Sequence, residues 1–161
     1  PADGGRPQRA PMPDLQFPEN SGMEALAPAP ESGSDAYLVG AEDAGFTWTC
    51  RISASCTRGP DIAKPAEFGL VAAAGLPQGR TAWLIRAWDS RQGSRVSLII
   101  LQGSRQIDRM DLARPLTVDN FEGLAALPNK DGTVRFYLLS DDNFASNQRT
   151  LLLAFDWTPI G

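Results

Sequence analysis

Three times along this chain an Ala/Leu/Gly-rich segment ending in proline precedes two apolar segments joined by an acidic turn, and this recurrence restricts the fold more than any other feature. The small-residue segments are EALAP at 24–28, VAAAGLP at 71–77 and EGLAALP at 122–128. The paired segments are 36–40 with 46–52, 81–88 with 95–101, and 133–140 with 149–157. Glu42 and Asp43, Asp89, and Asp141 with Asp142 stand at the three turns. Anchored on Tyr37, Trp83 and Tyr137, the unit is about 50 residues long, the size of a propeller blade. Small side chains suit the strand nearest a propeller axis, where blades crowd. Larger ones fill the space between blades, which makes Tyr37, Trp48, Trp83, Phe136 and Phe155 core candidates. No stretch sustains a helical i, i+3, i+4 pattern; MEALA is too short and RQIDRMDLA too mixed. The fold class expected is all-β and β-propeller-like, with about three blades, half of a full propeller. Open flanks would expose apolar faces, so a second polypeptide, either the missing propeller half or a second copy, is expected to cover them.

Residues 1–18 hold five prolines and two glycines and are expected to run as an extended linker with no buried role, leaving 19–161 as one domain. A net charge of −4 with no basic cluster argues against nucleic acid or an anionic membrane as partner. No apolar run reaches the roughly 20 residues of a membrane helix, and no leader-like segment opens the sequence. Cys50 and Cys56 enclose RISAS, a spacing compatible with a loop-closing disulfide or with two buried thiols. A disulfide would imply an oxidising compartment, periplasmic or secreted.

The chain contains no histidine, which excludes a Ser-His-Asp triad, a Cys-His pair and every His-ligated metal site within it. Acid–base or metal chemistry then falls to carboxylates, whose hard oxygens favour Ca²⁺ over zinc. Glu19-Asn20 and Asp119-Asn120 each precede an inner strand that begins with Glu24 or Glu122, so those two glutamates read as equivalent. In a propeller they would point to the axial tunnel and bind Ca²⁺, or else latch onto a neighbouring blade's backbone. Glu67, in the middle unit, falls out of register. SDDN at 140–143 carries more oxygen ligands than a tight turn needs, and strand pairing would bring it beside Glu122. Arg149 would grip a phosphate or pair with Asp141 or Asp142.

The segments NSGMEALA, PLTVDNFEGLAAL and YLLSDDNFASNQRTLLLAFDW resemble motifs of the phytase-like family, described by its esterase-like activity of phytase. The resemblance covers roughly 19–157, with these blocks in the C-terminal half of family members, and departs in the middle unit, where Ala72 and Arg86 replace acidic residues. It implies a secreted or periplasmic bacterial propeller with an assigned hydrolase activity on a small-molecule ester or phosphoester. With it, the site expected has Glu122 and Asp141 as catalytic residues and Arg149 and Asn143 as substrate-binding residues. Glu24, Asn120, Glu122 and Asp142 would be Ca²⁺ ligands. The alternative is a noncatalytic extracytoplasmic binding or scaffold propeller.

Overall fold

The computed structural model describes residues 9–19 and 21–159; Asn20 and residues 1–8 of the proline-rich segment lie outside the described residues. Eleven strands form three antiparallel meanders. The first contains β1 (Met23–Pro28), β2 (Ala36–Ala41), β3 (Thr47–Arg51) and β4 (Cys56–Arg58). The second contains β5 (Gly69–Leu76), β6 (Arg80–Asp89), β7 (Gly93–Gln102) and β8 (Arg105–Leu112). The third has β9 (Phe121–Pro128), β10 (Val134–Ser140) and β11 (Leu152–Trp157). No α-helix occurs among the described residues, and no helix there is long and apolar enough to cross a membrane. β5 lies between β1 and β9, so the small-residue strands line one side of a propeller-like array that does not close.

The second sheet is sandwiched, which explains its nearly continuous apolar runs. Ala73, Trp83 and Ile99 form one cross-strand row and pack toward Ala25, Ala27 and Leu38 of the first sheet. Ala72, Leu84 and Leu98 form the next row on the opposite face and pack toward Phe136 and Leu138 of the third. Trp83, Phe136 and Trp48 are buried as expected, whereas Tyr37 and Phe155 are half-buried. Cys50 and Cys56 are cross-strand neighbours and are joined by a disulfide.

The proline-rich segment departs from its expected unburied role. Pro13 is buried, Phe17 packs against the Val39/Trp48 cluster, and the Tyr37 hydroxyl donates to the Pro11 carbonyl. This segment therefore covers part of the first sheet's free face. Each inner strand also carries one unmatched residue near its start: Glu24 in β1, Val71 in β5 and Glu122 in β9. Such bulges re-aim a side chain at the end of a strand. They support the equivalence of Glu24 and Glu122 and identify Val71 as the middle unit's counterpart.

Candidate active site

Antiparallel pairing puts the start of each inner strand beside the end of the next strand: Met23 is opposite Ala41, Gly69 opposite Arg86, and Phe121 opposite Ser140. Since β5 is flanked by β1 and β9, the three strand starts and the hairpin turns gather at one end of the array. Charged side chains from all three sheets meet there.

Arg86 is the hub. Its Nη2 lies 2.7 Å from Glu122 Oε1, the oxygen that also accepts the Asn120 side-chain amide at 3.0 Å. The bulge at Glu122 and the buried Asn120 thus set the carboxylate toward β6. Among the described residues Arg86 Nε is buried without a partner. Across from it, Glu42 follows β2; its N–H donates to the Gly22 carbonyl at 2.9 Å, and its own carbonyl accepts Leu70 N–H at 3.0 Å. The Glu42 side chain lies over Gly69, with Oε1 2.9 Å from where a Cβ would sit, so any larger residue there would displace it. Burial, then the like charges of Glu24 and Asp43, push the Glu42 carboxyl above its ordinary value of 4.5, while Arg86 and Lys64 oppose the shift. Partial burial in turn lowers the Lys64 amine, whose Nζ donates to the Phe68 carbonyl. A carboxyl displaced toward neutrality beside a guanidinium is an arrangement suited to proton transfer at an anionic or polar ester.

Sequence reasoning placed Glu42 only at a turn and treated Arg86 as a departure. A signal for Arg86 was present: it is the only charge in the run TAWLIRAW.

SDDN does start beside Glu122, because Ser140 pairs with Phe121 and Asp141 N–H donates to the Asn120 carbonyl at 3.0 Å. Its side chains, however, hold their own loop. Asp141 Oδ1 accepts Asn143 N–H at 2.9 Å, and Asp142 accepts Phe144 N–H at 2.9 Å and the Thr150 hydroxyl at 3.0 Å. The Asn143 side-chain amide reaches Gln148 Oε1 at 3.0 Å, while Ser140 Oγ donates to the Arg149 carbonyl and accepts Leu151 N–H. These bonds hold Asn143 and Phe144 at φ of 48° and 54°, a left-handed pair that non-glycine residues seldom adopt. The surplus oxygens thus have structural work within the loop. Arg149 pairs with neither Asp141 nor Asp142; its Nε faces the buried Asp119 carboxylate at 3.3 Å.

Of the four expected calcium ligands, the fold brings Asn120 and Glu122 together, but the Asn120 amide N–H and the Arg86 guanidinium already share Glu122 Oε1, so a cation there would compete with Arg86. Asp142 is used within its loop, and Glu24 is an exposed residue of another sheet. Among the described residues no group of three or more Asp, Glu, Cys or His side chains is placed to hold a metal, whereas Ca²⁺ takes about six to eight oxygens. These residues alone do not fit a calcium site.

A family model described as esterase-like activity of phytase matches residues 2–144. The match therefore includes most of the proline-rich segment and ends inside the 141–151 loop. No curated protein matches the chain. Among solved structures, a protein of unknown function from Bacteroides caccae shares 13% identity over 91% of this chain, with a TM-score of 0.47. The chain spans about half of that protein, 49% of its length.

Proposed function

The chain belongs to the phytase-like family, and on that premise we propose that it is a secreted or periplasmic hydrolase of an ester or phosphoester. Glu42 would accept a proton from water as that water attacks the carbonyl or phosphoryl centre. The bond to the leaving oxygen breaks and the departing alcohol takes the proton back. Arg86 would hold the substrate's negative oxygen, and Glu122 with Asn120 would orient Arg86. Asp141 and Asn143 would shape the rim rather than react. The observation that carries this reading is that Glu42 and Arg86 line one polar hollow where Arg86 is held by Glu122, and burial there pushes the Glu42 carboxyl up. The disulfide supports the oxidising location.

Hydrolysis of p-nitrophenyl acetate and p-nitrophenyl phosphate tests the reading. Glu42→Gln should lower kcat by about 100-fold or more while leaving the fold intact. Turnover indifferent to both Glu42→Gln and Arg86→Met would refute it. A noncatalytic binding role is favoured by one observation: the Asp141 and Asp142 carboxylates are committed to their own loop. Ligand binding with no turnover of either ester would select that role.

A covering polypeptide also fits the register. Ala25 and Ala27 in β1 face the second sheet, and Ala72 and Ala74 in β5 face the third. The residues at the same offsets from the bulge in β9 are Gly123 and Ala125, on the face turned away from the second sheet. That face also carries Leu127, Leu139 and Leu152, which are 56%, 49% and 68% exposed. A further sheet, from a longer protein or a second copy, would bury them as the first two interfaces bury their counterparts.

A further inference from the structure

A second constellation adjoins the Glu42–Arg86 centre, with which it shares Trp88. Between the β6–β7 turn, the connection from β8 to β9 and the loop before β11 is a cleft of ≈ 920 Å³, within the usual range for small-molecule sites. Both of its walls belong to sheets present in this chain, so a missing blade is not needed to complete it. Trp88 stands on the same face of β6 as Leu84 and Arg86, beyond the packed core, and the residue is 63% exposed and lines the cleft.

Two guanidinium groups line the same space. Arg114 lies against the β6–β7 turn, its Cζ, Nε and Nη2 each 2.9 Å from where a Cβ on Gly93 would be. Gly93 has φ of 75°, so the turn requires glycine on both counts and the arginine occupies the space this leaves. Among the described residues Arg114 makes no ion pair within 4.0 Å. The nearby Asp89 carboxylate does not neutralise it: Asp89 accepts Arg91 and Gln92 N–H groups and pairs with Arg95 at 2.8 Å. Among the described residues Arg149 bonds only through Nε, to Asp119, and its side chain is 58% exposed, so its two terminal nitrogens remain available.

We infer that this cleft binds a sugar-like ring carrying an oxyanion, with Arg114 and Arg149 gripping the anionic group and the ring lying on Trp88. Guanidinium forks match the oxygens of a carboxylate or phosphate, and an exposed indole offers an apolar platform to a ring. Asn147 and Gln148 at the rim supply amides for ring hydroxyls. The inference does not depend on hydrolysis at Glu42, since it concerns recognition alone.

Titration of the whole chain with glucuronate, glucose 6-phosphate, inorganic phosphate and glucose, followed by tryptophan fluorescence and calorimetry at low salt, tests it. Saturable binding of at least one anionic sugar, with a fluorescence change lost in Trp88→Phe, is expected. The two anionic sugars distinguish a carboxylate from a phosphate ligand. Arg114→Gln and Arg149→Gln should each weaken that binding by about tenfold or more; Arg114→Gln leaves Tm unchanged, whereas Arg149→Gln also lowers it because the buried Asp119 carboxylate loses its partner. Glu42→Gln should bind as the wild type does, which keeps a failed hydrolase reading separate from a failed cleft. Glucose binding as tightly as the anionic sugars would overturn the role of the arginines. Inorganic phosphate binding as tightly as glucose 6-phosphate would overturn the role of Trp88, and no binding of any anionic sugar would overturn the whole.

Discussion

Replacing Arg86 with Met removes the cation that pairs with Glu122 of the third sheet and acts at longer range on Glu42 of the first, while keeping most of the apolar stem. Glu122 would retain only the Asn120 amide, and Glu42 would lose the nearer charge opposing Glu24 and Asp43. Exposed ion pairs contribute about 0–1 kcal/mol, and stranding one charge of a buried pair costs about 3–5 kcal/mol. The Arg86 and Glu122 side chains are 28% and 33% exposed, which places this pair between those limits. A loss of about 2 kcal/mol is expected, or roughly 4–8 °C in Tm for a chain of this size. Urea unfolding at neutral pH measures it. Adding Glu122→Gln to Arg86→Met should recover part of it, because the stranded charge is gone. A change under about 0.5 kcal/mol would refute the hub role of Arg86.

Glu42→Gln should stabilise the protein at neutral pH. The folded carboxyl binds its proton more tightly than the unfolded one, so stability present below the ordinary value of 4.5 is lost as pH rises through the raised value. Paired urea curves across that window check it, and equal stabilities at every pH would contradict it. Because the described carboxylates do not gather as a ligand set, Tm should move by less than about 1 °C between Ca²⁺ and a chelator. A larger rise that Asp142→Asn abolishes would instead establish calcium binding. Light scattering should give a mass above 17.3 kDa for the isolated chain and a monomer after Leu139→Lys with Leu152→Lys. A monodisperse wild-type monomer would argue against the docking face.

The inner strands and hairpins were legible because their patterns follow from burial. β10 alternates buried and outward residues since only one face is covered, and β5 is apolar throughout since both are. The outer strands were not legible. β8, RQIDRMDL, is too polar to announce itself because only one side of it meets the core, and β4 spans just Cys56–Arg58. The last hairpin's second strand begins at Leu152 rather than 149, because Ser140 and Asp142 bind Leu151 and Thr150 into the loop. Glu24 and Glu122 were legible as equivalents by their spacing. The convergence of Glu42 with the Arg86–Glu122 pair was not, because each residue comes from a different sheet and no local motif encodes how three sheets converge.

The most direct test of the centre is the titration of the Glu42 carboxyl itself, followed by carbon-13 NMR of the labelled protein and assigned by its absence in Glu42→Gln. The expected midpoint lies above 4.5 in the wild type and rises further in Arg86→Met, since the guanidinium is a force holding it down. A midpoint at or below 4.5, unmoved by Arg86→Met, would contradict the proposed proton acceptor and with it the hydrolytic centre.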